Sequence, residues 1–139
     1  MATERTASVV WEGGLLDGSG TIVSSGSGAL PTLPVTWASR TEASNGKTSP
    51  EELLAAAHAA CFSMGLSFGL ANAGTPPARL EVSATVGFQP GEGVTGSVLR
   101  VSGDVPGLDA EGFRAAAEEA KANCPVSQAL AVPISLEIL

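Results

Sequence analysis

The sequence predicts one α+β domain over residues 1–139. Three observations support this fold class. Short segments rich in β-branched residues, several of them alternating between apolar and polar, indicate strands. Two longer segments, beginning near Pro50 and Asp109, have the boundary residues of helices. No linker, internal repeat or low-complexity stretch divides the chain, and its length is that of one domain able to bury about two-thirds of its unfolded surface.

The first elements expected are strands. Residues 6–11 and 21–25 are rich in β-branched side chains, and the glycine-rich residues 13–20 between them are typical of a hairpin connection. Residues 35–39 are expected to form a third strand. Pro34 lies just before it and suits the edge of a sheet, because proline has no N–H to donate to a neighbouring strand.

A long helix is expected from Pro50 to about residue 72. Ser49 can cap it, Pro50 suits the first helical position, and Glu52 completes a capping box. Gly74, with two prolines beyond it, ends the helix. Because this helix is apolar on all sides, it needs cover from elsewhere, which favours a chain that does not act alone.

The second half predicts another hairpin and a second helix. Residues 80–88 and 94–105 are expected to be strands joined by a turn at 89–93. Residues 109–123 predict a helix that ends before Pro125, because the residue preceding a proline is disfavoured in a helix. Its apolar face consists of Phe113, Ala116, Ala117 and Ala120. A short helical turn over 126–131 and a strand over 134–139 close the chain, so the order is β-β-β-α-β-β-α-β.

Composition excludes several classes of partner. Acidic residues outnumber basic ones by 14 to 7, and phosphate binding needs clustered basic residues, so no nucleic-acid partner is expected. The first residues lack a basic segment followed by an apolar one, so the cytoplasm is the expected compartment. Residues 53–71 approach the length of a membrane span, but they include His58 and two serines, so a buried central helix is expected and no membrane partner.

The two cysteines, Cys61 within the long helix and Cys124 after the second one, are candidates for redox chemistry. Such a pair fits an attacking thiol that is oxidised to a sulfenic acid and a resolving thiol that traps it as a disulfide. Alternatively, Cys61 is an inert small core residue. Neither cysteine has the spacing of a zinc site, so no metal is expected, and a structural disulfide is not expected in a reducing cytosol.

A reactive Cys61 needs a cation, because an apolar setting raises the pKa of a thiol. The helix dipole cannot supply the charge, since its effect fades within the first turn. His58, one turn before Cys61, and an arginine brought in by the fold are the candidates. His58 could also be the base of a cysteine hydrolase, although a histidine in an apolar helix is more often a hydrogen-bonded core residue.

Two segments carry a resemblance to a known family. The run Asn45-Gly46-Lys47-Thr48-Ser49-Pro50-Glu51-Glu52-Leu53-Leu54-Ala55-Ala56-Ala57-His58-Ala59-Ala60-Cys61-Phe62-Ser63-Met64 and the run Asn123-Cys124-Pro125-Val126-Ser127-Gln128-Ala129-Leu130 resemble the OsmC/Ohr family of thiol-dependent peroxidases. The resemblance covers essentially the whole chain in element order. It implies an α+β, OsmC-like fold in which antiparallel sheets pack around two central helices in an intertwined homodimer.

The same resemblance implies a function and a set of site residues. It implies reduction of organic hydroperoxides in the cytoplasm under oxidative or osmotic stress. It also implies that no cofactor is needed and that an external dithiol, such as that of a lipoylated protein, is the reductant. Cys61 corresponds to the peroxidatic cysteine and Cys124 to the resolving one. The catalytic arginine and glutamate correspond to Arg40 and Glu51. Residues 13–20 hold no arginine, which favours the OsmC-type branch over the branch with an early arginine.

Helix geometry adds one expectation about Glu51. On one straight helix Glu51 and Cys61 are about 15 Å apart along the axis, so Glu51 cannot reach its own Cys61 and is expected to come from the partner chain. Without the resemblance, Glu51 would simply favour the helix dipole. The apolar residues near Cys61, namely Phe62, Met64, Leu66 and Phe68, either line a pocket for alkyl hydroperoxides or belong to the core. A non-enzymatic binding or stress module on the same fold is the remaining alternative.

Overall fold

The computed structural model describes residues 2–139, except for the side chain of Ser24. It divides the chain into two compact units, Met1–Pro50 and Glu51–Leu139. Each unit contains its own three-stranded sheet. The elements of the α+β fold class are therefore present, and each unit is described in turn.

The first unit is a three-stranded antiparallel sheet followed by a short helix. Strands β1 (Ala7–Glu12), β2 (Ser19–Ser25) and β3 (Leu33–Val35) lie in the order β1-β2-β3, and helix α1 (Trp37–Thr41) follows. The predicted hairpin is confirmed, with β2 beginning two residues earlier than expected. Pro34 lies in β3, which pairs with β2 at the edge of this sheet as the proline predicted.

The prediction of a strand over residues 35–39 is wrong after Val35. Thr36 instead caps α1: its hydroxyl accepts a hydrogen bond from the N–H of Ser39 at 3.0 Å, and the Ser39 hydroxyl accepts one from the N–H of Thr36 at 3.0 Å. These reciprocal bonds satisfy two backbone donors that a helix start leaves open. The capping pair outweighs the strand preference of the β-branched residues.

The second unit holds the long helix and the second sheet. Its elements are α2 (Pro50–Asn72, whose first residue belongs to the first unit), β4 (Arg79–Gln89), β5 (Gly93–Asp104), α3 (Ala110–Asn123), α4 (Pro125–Ala129) and β6 (Ile134–Ile138). Helix α2 begins at Pro50 and ends before Gly74 as predicted, and Gly74 has a positive φ of 89°. Helix α3 ends before Cys124-Pro125, also as predicted.

The second sheet has the order β4-β5-β6. Strands β4 and β5 form the predicted antiparallel hairpin, with Val82 opposite Val101. Strand β6 pairs with β5 in parallel, with Leu99 opposite Leu136. The sheet is therefore mixed, a feature that the sequence did not predict. The parallel pair is possible because α3 and α4 lie in the long connection from β5 to β6.

The core of the second unit lies where α2 and α3 meet the sheet. Helix α2 contributes a stripe at every fourth residue, His58, Phe62, Leu66 and Leu70. The buried apolar cluster consists of Phe62, Leu66, Leu70, Leu99, Val101, Phe113, Ala117, Ala120 and Cys124. Three of the four residues predicted for the apolar face of α3 belong to this cluster, and Ala116 packs against it.

The opposite face of α2 is open in the single chain. Met64 is 71% exposed and Phe68 is 68% exposed. By length and composition alone α2 could cross a membrane, a test that the core helix of a soluble protein also passes. The first unit also leaves apolar side chains uncovered, among them Val9, Val10 and Trp11. Exposed apolar side chains that form a contiguous patch are typical of a surface that contacts a partner.

Candidate active site

The Cys61 side chain lies in the middle of α2 and is half-buried. Cys61 follows His58 by one helical turn and precedes Phe62 of the buried stripe, so it borders the core rather than facing solvent directly. It packs against the buried cluster that includes Cys124. The helix is continuous from Pro50 to Asn72, which fixes the height of Cys61 along its axis.

Cys124 lies at the junction between α3 and α4 and is 1% exposed. Its N–H donates to the carbonyl of Ala120 at 2.9 Å, closing α3, and its carbonyl accepts from the N–H of Gln128 at 3.0 Å, opening α4. The residue adopts an extended conformation with φ −62° and ψ 121°, as expected before Pro125. Backbone hydrogen bonds on both sides therefore hold the thiol in place.

The fold brings the two thiols together although they are far apart in the sequence. Both cysteines are free, and each changes the pKa of the other. This contact lies entirely within the second unit. The two thiols are therefore close enough to interact, and a disulfide between them requires that one of them is first oxidised.

The pKa values of the two thiols move in opposite directions. Burial raises the pKa of Cys61, the N–H of Val126 opposes this, and the adjacent Cys124 raises it further. Burial also raises the pKa of Cys124, but the N–H of Ser127, Cys61, the Ser127 hydroxyl and the N–H of Val126 together outweigh burial and lower it. Because the two thiols interact, loss of a proton from one of them changes the pKa of the other.

His58 is a fully buried, hydrogen-bonded residue of the core. Its Nδ1 lies 2.7 Å from the Ser97 hydroxyl of β5 and its Nε2 lies 2.7 Å from the Ser127 hydroxyl of α4. Burial lowers the pKa of His58, so the ring is neutral near pH 7. Because both ring nitrogens are engaged with serines, His58 is not paired with Cys61 as a hydrolase would require.

The sequence did not predict that Ser97 and Ser127 would belong to this site. Ser97 occupies an inward position of β5 in register with the buried Leu99 and Val101, and an inward polar residue on a strand is a signal that it has a buried partner. Ser127 lies three residues after Cys124, within the first turn of α4. Only the folded chain shows that both serines meet one histidine.

The structure places the other two predicted site residues, Arg40 and Glu51, at the end of α1 and at the start of α2. Arg40 lies in the last turn of α1 in the first unit, where its guanidinium carbon is 6.0 Å from the centroid of the Trp37 ring. Glu51 lies in the first turn of α2 and is buried. Because α2 is continuous, Glu51 is about 15 Å from Cys61 along the helix axis.

The residues considered for an apolar pocket divide into two groups. Phe62 and Leu66 are fully buried in the core, whereas Met64 and Phe68 are exposed. A cavity of about 640 Å³ lies beside Cys124. Its lining consists of Gly65, Phe68, Gly69, Leu70, Asn72, Ala73, Thr75, Leu108, Ala115, Ala116, Glu119, Ala120, Asn123, Cys124 and Pro125. Within residues 2–139, no group of three or more His, Cys, Asp or Glu is placed to hold a metal ion.

Comparison with known proteins places this geometry in a family. The family model for OsmC-like proteins matches residues 43–138. The chain belongs to the OsmC family. It is 41% identical to the peroxiredoxin OsmC of Escherichia coli strain K12, over 99% of this chain and 96% of that protein. The peroxiredoxin OsmC of Shigella flexneri matches to the same extent.

Solved structures of the family share the fold. The organic hydroperoxide resistance protein OhrB of Bacillus subtilis superposes with a TM-score of 0.69 at 28% identity, covering 96% of this chain and 98% of that one. An organic hydroperoxide resistance protein from Elizabethkingia anophelis superposes with a TM-score of 0.69 at 26% identity, covering 99% of this chain and 96% of that one. The α+β, OsmC-like fold class that the sequence predicted is thereby confirmed.

Proposed function

We propose that Cys61 is the peroxidatic cysteine and Cys124 the resolving cysteine of this OsmC-family protein. The chain is a thiol-based peroxidase of stress defence, the class to which its peroxiredoxin relatives belong. Organic hydroperoxides are the proposed substrates, by the names of the structural relatives. The observation that carries the assignment of residues is the contact between the two free thiols within the second unit.

The proposed reaction has three steps. The Cys61 thiolate attacks one oxygen of the hydroperoxide, the O–O bond breaks, and the departing alkoxide takes a proton to become the alcohol. Cys61 is left as a sulfenic acid. The Cys124 thiolate then attacks the sulfenic sulfur, forming the disulfide and releasing the hydroxyl group as water. An external dithiol reduces the disulfide by exchange and is itself oxidised to a disulfide.

Arg40 is the proposed cation for Cys61. Burial and the neighbouring Cys124 both raise the pKa of Cys61, so its thiolate needs a positive charge nearby. A guanidinium stays charged at all working pH values and can also stabilise the oxygen charge that develops as the O–O bond breaks. Glu51 is proposed to orient the guanidinium through a charge-assisted pair.

A homodimer is the proposed working form. The exposed side chains of Met64 and Phe68 on α2, and the uncovered apolar side chains of β1, support an interface between two chains. The helix geometry that separates Glu51 from Cys61 supports a site to which Glu51 of one chain contributes beside Cys61 of the other.

We also propose one OsmC-like domain as the functional unit and the cytoplasm as its location. The proposed reductant is a small or protein-bound dithiol, such as a lipoyl group.

Consumption of cumene hydroperoxide with dihydrolipoamide tests the proposal. The wild type should turn over, and Cys61→Ser should abolish turnover. Cys124→Ser should consume about one equivalent of hydroperoxide to form the Cys61 sulfenic acid, and further equivalents only as that acid is over-oxidised. Mass spectrometry of the trapped cysteine distinguishes these products. Equal activity of Cys61→Ser and the wild type would overturn the assignment, and an inactive wild type would favour a non-enzymatic module on the same fold.

A further inference from the structure

A partly buried hydrogen bond between His58 and Ser127 lies beside the cysteine pair. His58 precedes Cys61 by three residues on α2, and Ser127 follows Cys124 by three residues in the first turn of α4. Residues three apart on a helix share a face, and the side chain of a residue that caps a helix lies near the third residue of that helix. The 2.7 Å contact from His58 Nε2 to Ser127 Oγ therefore joins the same two segments as the cysteine contact, one turn away.

The hydrogens of this contact can be arranged in two ways. A neutral imidazole has one N–H donor and one acceptor nitrogen. If Nδ1 carries the hydrogen, it donates to Ser97, and the Ser127 hydroxyl must donate to Nε2. If Nε2 carries the hydrogen, it donates to Ser127, while Ser97 donates to Nδ1. Only the second arrangement leaves the Ser127 hydrogen free to point at another acceptor.

We propose that His58 is a positioning residue for the resolving cysteine, with its Nε2–H donating to Ser127 so that the Ser127 O–H donates to the Cys124 thiolate. This inference rests on the proposed function, in which Cys124 attacks the Cys61 sulfenic acid. The geometry supporting it is the buried chain from Ser97 through His58 to Ser127. Cys124 is the N-cap residue of α4 and Ser127 lies in the first turn of that helix, so the Ser127 hydroxyl lies near the Cys124 sulfur.

The electrostatics of the pair agree with this arrangement. The N–H and the hydroxyl of Ser127 both lower the pKa of Cys124 against the effect of burial. A hydroxyl that donates to His58 could not at the same time stabilise the thiolate, since a serine has one hydrogen to give. Burial also keeps the His58 ring neutral, which preserves the single N–H on which the arrangement depends.

The chain of hydrogen bonds acts without a net transfer of protons. The Cys124 thiolate attacks the sulfenic sulfur and the S–O bond breaks. The hydroxide that leaves takes up one proton, equal in number to the proton that Cys124 lost, and becomes water. His58 and Ser127 keep their own hydrogens throughout. A stabilised Cys124 thiolate also departs more readily when the external dithiol attacks Cys61, because a thiol of lower pKa is the better leaving group.

Titration of Cys124 in the Cys61→Ser variant tests the inference without any peroxide. We expect Ser127→Ala to raise the apparent pKa of Cys124, followed by the ultraviolet absorbance of the thiolate, by about one pH unit. Ser97→Ala is the matched control, because it removes a buried hydroxyl from the other ring nitrogen and leaves the Ser127 hydroxyl in place. It should shift the pKa of Cys124 less than Ser127→Ala does.

Two substitutions at His58 test the contributions of its two ring nitrogens separately. Glutamine places an amide N–H near the position of Nε2, whereas asparagine places its amide near Nδ1. We therefore expect His58→Gln to keep the Cys124 pKa close to the wild-type value and His58→Asn to raise it as Ser127→Ala does. Circular dichroism verifies that each variant is folded; if His58→Asn is not, the two serine variants decide the question.

The consequence for catalysis is measured as a ratio of rates. With cumene hydroperoxide, Ser127→Ala in the otherwise wild-type protein should lower the rate of disulfide formation relative to over-oxidation of Cys61 by several-fold. Folded Ser127→Ala with an unchanged Cys124 pKa and an unchanged ratio would overturn the inference. A protein that fails the peroxide assay but shows the expected titration would instead contradict the proposed function alone.

Discussion

The two cysteines touch each other but occupy different settings. Cys124 is almost completely buried, and backbone bonds from α3 and α4 hold it in place. Cys61 is half-buried on a helix whose opposite face is open, and its pKa is raised where that of Cys124 is lowered. The surroundings within the second unit therefore lower the pKa of Cys124 and raise that of Cys61.

This difference indicates what each cysteine needs from the rest of the protein. The groups that lower the pKa of Cys124 are the N–H of Ser127, then Cys61, the Ser127 hydroxyl and the N–H of Val126, and all of them except Cys61 belong to its own segment. Among the described residues, the N–H of Val126 is the one group that lowers the pKa of Cys61. Its activation is therefore the step that should depend on Arg40 and on a second chain, whereas the Cys124 thiolate should depend on neither.

The largest effect is expected from Phe68→Glu, which places a charge on the open face of α2. Phe68 is 68% exposed in the single chain, so the second unit should stay folded. A carboxylate buried in an apolar interface costs several kcal/mol, so the dimer should weaken by about a thousandfold or more and peroxide turnover should fall with it. Sedimentation equilibrium and turnover measured over a range of protein concentrations check this.

Leu139→Glu is the control for Phe68→Glu, because Leu139 is 75% exposed and lies outside α2. It should leave both the oligomeric state and turnover near the wild-type values. A monomeric Phe68→Glu protein with wild-type turnover would show that the setting of Cys61 is already complete in one chain, and the contrast between the two cysteines would lose its functional meaning.

Arg40→Met should lower turnover by about a hundredfold to a thousandfold at neutral pH, the cost of removing one stabilising donor from a transition state. Loss of a cation raises the pKa of Cys61 still further, so turnover should rise with pH more steeply than in the wild type. Arg40→Lys should restore part of the activity. Initial rates across a pH series, with the Cys124 pKa measured separately, test both statements.

Arg114→Met is the matched control for Arg40→Met, since Arg114 is an exposed arginine of α3. It removes the same charge and should leave the pH profile of turnover unchanged. If Arg40→Met shifts the pKa of Cys124 as much as that of Cys61, the two thiols are not activated separately, and the proposed division of roles is wrong.

Local signals in the sequence predicted most of the fold. Pro50 and Gly74 fixed the ends of α2, and the proline after Cys124 fixed the end of α3, because each acts on the backbone of its neighbours. Helix α1 was missed because the bonds between Thr36 and Ser39 compete with a strand preference of similar strength. The parallel pairing of β6 with β5 was missed because it joins segments far apart in the chain.

The candidate site was predictable to a smaller extent. Cys61 and Cys124 stood out because each lies within a distinctive local run, and the prediction that His58 is a hydrogen-bonded core residue is confirmed. Its partners Ser97 and Ser127 could not be predicted, since they come from β5 and α4 and only tertiary packing brings them to one ring. The roles of Arg40 and Glu51 stay predictions that the variants above test.

The smallest effect expected concerns the acid stability of the segment that holds Cys124. The pKa of His58 is lower in the folded chain than its ordinary value of 6.5, so the unfolded chain binds the proton more readily. Stability is therefore retained above about pH 6.5 and lost as the pH falls below it, with a slope of at most about 1.4 kcal/mol per pH unit. Because the sequence has 1 histidine, this part of the pH dependence belongs to His58.

Urea unfolding between pH 5 and 8 should give a flatter profile of unfolding free energy against pH for His58→Gln than for the wild type. Parallel profiles would mean that the folded and unfolded chains bind the histidine proton equally, so that burial does not lower the pKa of His58.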